Sequence, residues 1–162
     1  MNSEQYNTCV DMHSDGLFRF ALKNLKDEDE AKEIVQSTFE KMWVRREDVD
    51  FERAKSYLYT AAYHAMVDYW RKAKRMTQIS EETENRMSAP VAEYKGLKAI
   101  LERALSQLPE VQKTVILLRD YEGYSYEEIG EITNLNESQV KVYIFRARQT
   151  LRNILGSLEA VL

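Results

Sequence analysis

The stretch that decides the fold is YEEIGEITNLNESQVKVYIFRAR, residues 126–148. Ser125, just before it, and Glu128 have the spacing of a capping box, in which each side chain satisfies a free backbone amide at a helix start. Asn134 breaks the resulting short helix, and Asn136 can cap a second helix that follows. The stretch therefore predicts two helices joined by a tight turn.

The same stretch meets the steric requirements of a helix-turn-helix. Ile129 and Val140 are placed to pack one helix on the other, and Gly130 is a small residue where the helices must approach closely. Asn134 tolerates left-handed backbone in the turn, beneath which Leu135 fills the core. The second helix is then the candidate reader of the DNA major groove.

Basic charge collects on that second helix. Residues 137–152 hold four bases and one acid, a net charge of +3. Lys141 and Arg146 suit guanine edges, at about 1–3 kcal/mol of discrimination per bidentate contact, whereas Arg148 and Arg152 suit phosphates. A helical hairpin with a solvated basic face is the alternative interpretation. The outward face of this helix would show Ser138, Lys141, Val142, Phe145 and Arg146.

The whole chain, in contrast, is acidic. Its 162 residues include 27 acids against 23 bases, a net charge of -4, so DNA binding requires locally concentrated basic charge or a partner that supplies affinity. Two prolines and five glycines leave little room for the turns of a sandwich or barrel, which favours an all-α fold. The single cysteine, Cys9, and the lack of a signal-like or membrane-spanning segment predict a cytoplasmic protein.

The N-terminal half contains three apolar stripes with helical spacing, which predict three helices within residues 5–75. The second of these helices, 29–43, lies in an acidic segment, since residues 27–52 hold ten acids and four bases. It also carries large apolar groups at its end. Such a face suits a protein partner better than DNA.

The third helix ends in YWRKAKR, residues 69–75, where four bases follow two aromatic residues. Aromatic rings beside cations are what unpaired bases require, at about 1–3 kcal/mol per stacked base. Tyrosines at helical spacing also commonly form a core, and basic residues complement the dipole at a helix end. The pattern by itself leaves both interpretations open.

Residues 76–95 separate the two halves. They lose the helical periodicity, contain Pro90 and hold four acids against two bases, so we interpret them as a flexible linker. The predicted architecture is two small helical domains, residues 1–75 with three helices and residues 96–162 with four. No fixed-period repeat is present.

No catalytic or metal-binding pattern emerges from the remaining residues. Cys9 and His13 are four apart, but no second ligand pair accompanies them at the spacing of a zinc site. A glycine-rich phosphate loop and a defensible catalytic group are also missing from the sequence. We therefore expect neither a metal nor a cofactor, and an enzyme is the weak hypothesis.

These motifs together resemble the extracytoplasmic-function (ECF) sigma factors, the two-domain initiation subunits of bacterial RNA polymerase in the sigma-70 family. The resemblance covers nearly the whole chain, with both halves in the family's order. It rests on Leu17–Leu22, Asp29–Phe39, Trp43, Ser56–His64, Asp68–Lys72, Leu105–Pro109, Tyr121–Ser125, Glu128–Gly130 and Arg146–Arg148.

The resemblance implies that residues 1–75 are sigma region two, which binds core RNA polymerase. Glu33, Gln36 and Phe39 match the family's acid-x-x-Gln-x-x-Phe helix, which docks on the polymerase clamp. The implied core-binding residues are Asp29, Glu33, Gln36, Phe39, Glu40 and Trp43.

It also implies two contacts with promoter DNA. Region two would melt and recognise the minus-ten element, with a flipped base received by the loop at about 49–55, and region four, residues 96–162, would read the minus-thirty-five element through its last helix. The implied minus-ten residues are Lys55, Tyr59, His64, Asp68, Trp70, Arg71, Lys72, Lys74 and Arg75. The implied minus-thirty-five residues are Ser138, Gln139, Lys141, Val142, Phe145, Arg146 and Arg148. The family further implies an anti-sigma partner that masks one or both domains.

His64, Gly130 and Gln139 depart from the asparagine, alanine and threonine usual in the family, so the minus-ten base preference is not carried over. Two other non-enzymatic interpretations exist. A sigma mimic would titrate an anti-sigma factor without touching promoters, but Arg71, Lys72, Lys141 and Arg146 are retained. A dimeric helix-turn-helix repressor would leave the acidic second helix unexplained.

Overall fold

The structure, a computed structural model, describes the backbone of residues 1–79 and 96–161 and the side chains of residues 1–77 and 96–156. Within these residues it contains seven α-helices and no strand, which confirms the all-α prediction. The helices are α1 (Ser3–Leu25), α2 (Glu28–Val44), α3 (Ala54–Ile79), α4 (Leu97–Ser106), α5 (Glu110–Ile116), α6 (Tyr126–Thr133) and α7 (Glu137–Val161).

Helices α1, α2 and α3 form the N-terminal domain, in which each packs against the other two. Lys26, in the left-handed conformation with φ of 58°, ends α1, and the Asp27 side chain accepts a 3.0 Å bond from the Glu30 amide to cap α2. Two short 3₁₀ turns, Arg46–Asp48 and Phe51–Arg53, then connect α2 to α3. The predicted three-helix domain is thus confirmed.

Helices α4 to α7 form the C-terminal domain. The Ser125–Glu128 capping box that starts α6 is present, with reciprocal bonds of 3.1 and 2.8 Å. Asn134 adopts the predicted left-handed conformation with φ of 61°, and the Asn136 side chain accepts a 2.8 Å bond from the Gln139 amide. Helices α6 and α7 are therefore the predicted helix-turn-helix.

Two details differ from the sequence-based expectation. A Cβ atom on Gly130 would lie 2.7 Å from the backbone oxygen of Leu135, so the glycine makes room for the turn more than for the crossing of two helices. Helix α3 includes residues 76–79, which the loss of apolar periodicity had assigned to the linker. Extending an existing helix needs no new nucleus, so α3 can continue past the end of its apolar stripe. The rest of the predicted linker, residues 80–95, lies outside the described residues.

The two domains pack against each other mainly through α1 with α5 and α3 with α6. The Lys23 ammonium of α1 also lies 4.9 Å from the centre of the Tyr121 ring, at the end of the π-helical turn Leu117–Tyr121. Asn24 near the end of α1 is the centre of a buried polar cluster at this contact. Its backbone oxygen accepts from Lys113 Nζ at 2.7 Å, and its side-chain oxygen accepts from Thr114 Oγ1 at 2.9 Å. The periodicity of the sequence carries no signal of this contact.

Burial of Lys113 makes the stability of this contact depend on pH. Desolvation, with a smaller contribution from nearby Lys26 and opposed by Glu110, lowers the pKa of Lys113 from its usual 10.5 to about 8. Between these values the unfolded chain binds more protons than the folded chain. We therefore expect the free energy of unfolding to rise with pH from about 8 to about 10, on the order of 1 kcal/mol per pH unit.

This expectation is tested by urea denaturation of the wild type and the Lys113→Met variant across that pH range. The difference in unfolding free energy between the two proteins isolates the lysine from other titrating groups. A difference that is the same at pH 8 and pH 10 contradicts the assignment.

Candidate polymerase and nucleic-acid interfaces

An exposed stripe along α2 carries five of the six residues predicted to bind core polymerase. Residues 29, 33, 36, 40 and 43 follow one another at three- and four-residue spacing, which places them on one helix face, and all five are exposed. Gln36 Nε2 donates to Glu40 Oε1 at 3.2 Å. We call this surface the α2 face, and it consists of Asp29, Glu33, Gln36, Glu40 and Trp43.

Trp43 ends the α2 face with an ordered aromatic group. The Arg46 guanidinium lies 3.8 Å from its ring centre, and the Tyr6 ring meets it edge-on with 4.9 Å between centroids. The indole remains 39% exposed, so it can contribute apolar area to a partner.

Phe39, the sixth predicted residue, is buried beside the α2 face. Its side chain is 8% exposed and lies against the Tyr6 ring, and the Tyr6 hydroxyl donates to the Phe39 backbone oxygen at 2.8 Å. Residues 36 and 39 are neighbours on the helix surface, but Gln36 is exposed whereas the Phe39 ring is buried towards α1. The structure thus places Phe39 in the core that supports the α2 face.

We expect Phe39→Ala to destabilise the protein by about 3–5 kcal/mol, since it removes a buried aromatic ring and leaves a cavity. Gln36→Ala, on the exposed side of the same helix, should stay within about 0.5 kcal/mol of the wild type. Chemical denaturation followed by circular dichroism measures both changes. Equal stability of the two variants would show that Phe39 is not part of the core.

The end of α3 presents most of the predicted minus-ten residues to solvent. His64, Asp68 and the four basic side chains are exposed, while Trp70 is partly buried. A groove of about 300 Å³ runs between α3 and the start of α5, with Tyr63 and Trp70 beside Arg71 and Lys74. Two aromatic rings flanked by two cations can accommodate a flat base and its phosphate. The four exposed basic residues at this end of α3 are Arg71, Lys72, Lys74 and Arg75.

Lys55 and Tyr59 lie elsewhere, at the contact between the domains. Tyr59 is 1% exposed, and its hydroxyl donates to Glu122 Oε1 at 2.9 Å. Burial, followed by the Glu122 carboxylate, raises the pKa of Tyr59 above its ordinary value. The Lys55 ammonium lies 4.8 Å from the centre of the Tyr124 ring. In this conformation the structure does not bring these two residues together with the exposed end of α3.

The loop at 49–55, expected to receive a flipped base, borders a groove of about 480 Å³. Asp48 and Asp50 line this groove together with Arg53 and Tyr57. The aromatic ring and the guanidinium can contact a base, whereas the two carboxylates repel phosphate. The lining therefore suits an uncharged ring better than a phosphate.

The outer face of α7 carries the predicted minus-thirty-five residues, and all of them except Arg148 are exposed. Phe145 is 66% exposed and Val142 43%, next to Arg146, which forms no hydrogen bond or ion pair with any described side chain. Lys141 pairs with Glu137 at 3.1 Å. We call this surface the α7 face, and it consists of Ser138, Gln139, Lys141, Val142, Phe145 and Arg146.

Two residues that were predicted to contact DNA, Arg148 and Gln139, form hydrogen bonds within the C-terminal domain. Arg148 Nη2 lies 2.7 Å from Asp120 Oδ1, and this hydrogen bond raises the pKa of the guanidinium further. The Gln139 side chain accepts a 3.0 Å bond from the Asn136 amide at the start of α7. Sequence reasoning also missed Tyr126, whose ring lies 5.7 Å from Lys141 Nζ and 4.5 Å from the Arg119 guanidinium.

The described part of the chain offers neither a metal site nor a membrane span. None of its side chains form a group of three or more histidine, cysteine, aspartate or glutamate residues able to hold a metal ion. Among its helices, none is both long and apolar enough to cross a membrane.

The fold and these surfaces define a two-domain helical protein with an exposed acidic face on one domain and a helix-turn-helix with an exposed basic helix on the other. The family model of sigma-70 region 2 matches residues 9–76, and that of sigma-70 region 4 matches residues 98–151. The chain belongs to the extracytoplasmic-function sigma factors of the sigma-70 family, and it is therefore a promoter-specific transcription initiation factor.

Individual sigma factors match this chain over both domains. RNA polymerase sigma factor SigV of Bacillus subtilis is 34% identical over 147 residues, which cover 90% of this chain and 87% of that protein. ECF RNA polymerase sigma factor SigM of the same organism is 29% identical, covering 87% and 89%. The solved sigma factor RpoE of Bartonella quintana, in complex with the anti-sigma factor NepR, has the same fold, with a TM-score of 0.79, 24% identity and coverage of 93% and 96%.

Proposed function

We propose that the protein is a non-catalytic cytoplasmic subunit in which each exposed surface performs one step of promoter recognition. The α2 face docks on core polymerase, the α7 face reads duplex DNA upstream, and the end of α3 captures melted bases. The domain boundaries stay near residues 75 and 96. The observation that supports this proposal best is the separation of charge, with three carboxylates on the α2 face and basic residues on the other two surfaces.

Docking through the α2 face follows from its composition. Asp29, Glu33 and Glu40 are exposed acids, and Trp43 adds apolar area at the helix end. Complementary charge steers association and fixes orientation, while an aromatic anchor contributes binding energy. The face therefore suits a basic, partly apolar protein surface, and it repels DNA.

Recognition through the α7 face combines two kinds of contact. Arg146 and Lys141 offer donors to guanine, and the exposed Phe145 and Val142 side chains offer apolar contact to thymine methyl groups. Such a mixture discriminates between base pairs, whereas a uniformly basic face would bind phosphates without sequence preference.

Capture of melted DNA at the end of α3 uses rings already set between cations. Trp70 and Tyr63 line the groove with Arg71 and Lys74 on α3 and with Glu110 of α5. A base can stack on the rings, and its phosphate is expected beside Arg71 and Lys74, away from the Glu110 carboxylate. Unpairing costs a few kcal/mol, which stacking at about 1–3 kcal/mol per base offsets.

An anti-sigma factor is the proposed regulatory partner, as in the solved complex of the Bartonella quintana protein. A groove of about 570 Å³ between α1 and α4 suits an amphipathic acidic helix, because its apolar floor is surrounded mainly by basic side chains. The floor consists of Phe18, Leu22 and Leu105, and the rim of Arg19, Lys23, Lys26, Lys98, Glu28 and Glu102.

The experiment that tests this function measures binding of the purified protein to core polymerase, and of both free and polymerase-bound protein to duplex DNA. We expect tight core binding, weak and salt-sensitive DNA binding by the free protein, and sequence discrimination only in the assembly. Tight specific duplex binding without core binding would support a free-standing repressor. Core binding without any DNA discrimination would contradict the roles given to the α7 face.

A further inference from the structure

Two residues outside the α2 face, Tyr6 and Arg46, contact the aromatic side chain that ends it. Tyr6 lies near the start of α1, and Arg46 begins the 3₁₀ turn that follows α2. The Tyr6 ring lies 4.9 Å from the Trp43 indole between centroids, and the Arg46 guanidinium lies 3.8 Å from the indole centre. Neither residue is among the six predicted to bind core polymerase. The exposed indole is therefore held by two different segments of the N-terminal domain.

Arg46 contacts Trp43 at its backbone as well as at its ring. Its Nη1 atom donates to the Trp43 backbone oxygen at 2.8 Å. That oxygen lies in the last turn of α2, where carbonyl groups have no further helical turn to pair with and where the helix dipole favours a cation. A guanidinium is planar, so it can stack on an aromatic ring while it donates hydrogen bonds in its own plane. One side chain thus caps the helix and orders the indole.

Tyr6 is itself fixed, so it offers the indole a rigid neighbour. Its hydroxyl donates to the Phe39 backbone oxygen at 2.8 Å, and its ring meets the buried Phe39 ring edge-on, with 6.5 Å between centroids. Burial, followed by the nearby Glu40 carboxylate, raises the pKa of Tyr6, so the hydroxyl stays protonated and keeps donating at neutral pH. Edge-on aromatic pairs at such distances are favourable beyond the area they bury. Trp43 therefore rests on a side chain that is anchored to the core.

Trp43 is both held in place and 39% exposed. Fixing a side chain costs conformational entropy, and an anchor that is already ordered in the free protein does not lose that entropy when a partner covers it. Buried aromatic anchors supply much of the binding energy of protein interfaces. A held and exposed indole therefore contributes more to docking than a mobile one would.

We propose that Tyr6 and Arg46 form an indole clamp that positions Trp43 for docking on core polymerase. They are positioning residues, because they act through the Trp43 ring and not through contacts of their own with the partner. This inference rests on the proposed function, since it makes Trp43 the aromatic anchor of the α2 face. Charge alone gives Arg46 the opposite effect, because removing a cation beside a face that docks on a basic surface would strengthen docking. The direction of the change therefore separates positioning from charge.

The first test is a double-mutant cycle for core polymerase binding by the full-length protein. We expect Arg46→Ala to raise the dissociation constant about three- to tenfold, and to cause no weakening when Trp43→Ala is already present. Arg45→Ala is the matched control, because it removes the same charge from the exposed neighbouring residue. Equal effects of the two arginine changes, or a weakening by Arg46→Ala that persists without the indole, overturn the clamp.

A second test follows the indole directly in the free protein. The chain has two tryptophans, so Trp70→Phe leaves Trp43 as the single indole fluorophore. In this background we expect time-resolved fluorescence anisotropy to show little fast motion of Trp43, a large fast component after Arg46→Ala and no change after Arg45→Ala. The same fast component in all three proteins overturns the clamp.

Failure of the clamp is distinguishable from failure of the proposed function. If Trp43→Ala leaves core binding unchanged while charge reversal at Glu33 and Glu40 weakens it, the clamp is overturned and docking through the α2 face stands. If none of these changes weakens core binding, the proposed docking surface is overturned together with the clamp.

Discussion

Reversing two charges on the α2 face, Glu33→Lys with Glu40→Lys, is expected to weaken core polymerase binding by about a hundredfold or more and to leave the fold intact. Both side chains are exposed and contribute little to packing, so the stability of the domain should barely change. Placing like charges opposite each other across an interface costs several kcal/mol, which is the source of the loss. The expected loss shrinks as salt rises.

The measurement is the equilibrium dissociation constant of the labelled protein with core polymerase, at two salt concentrations. The matched control is Glu4→Lys with Glu127→Lys, which makes the same charge change at two exposed positions outside the α2 face. If both pairs weaken binding equally, overall charge and not the α2 face controls docking. If neither pair has an effect, the face is not the docking surface.

Arg146→Ala is expected to remove most of the discrimination for the upstream element in the polymerase-bound protein. The guanidinium is exposed and free of partners among the described residues, so it is available to form a bidentate contact with guanine. Loss of one such contact corresponds to about ten- to a hundredfold in the ratio of preferred to scrambled sites. Affinity for scrambled sites should fall much less.

Arg152→Ala is the matched control, because Arg152 is also exposed on α7 but lies farther along the helix. It should weaken all sites by a similar factor and reduce the salt dependence, as a phosphate contact does. Competition binding between the two kinds of duplex distinguishes these patterns. A uniform loss for Arg146→Ala would make it a phosphate contact too.

Local chemistry explains why the helices and their caps could be predicted from the sequence. The capping boxes at Ser125 and Asn136 and the left-handed turn at Asn134 depend on side chains within a few residues of one another. The apolar stripes depend only on helical periodicity. The fold class and the helix-turn-helix followed directly from these local patterns.

The orientation of individual site residues was harder to predict. Phe39 belongs to the resembling motif, yet a motif does not say which of its members face a partner and which support the helix. Tyr59 and Arg148 are held by Glu122 and Asp120, which are 63 and 28 residues away in the chain. Such pairings depend on how distant helices pack, for which the apolar periodicity of a single sequence contains no signal.

The acidic net charge of -4 is consistent with this division of labour. Acidic residues concentrate on and around α2, whereas basic residues concentrate at the end of α3 and along α7. A free protein with this distribution gains little from general attraction to DNA. Its promoter specificity is therefore expected to arise only when polymerase holds both domains at the correct separation.

The most direct test of this account is in vitro transcription with core polymerase from a library of templates with randomised upstream sequence. Transcripts are sequenced with their templates in the presence and absence of the protein. We predict protein-dependent starts that enrich two separate sequence blocks, one for each domain. Starts that are the same without the protein, or no enrichment of either block, would contradict the central claim.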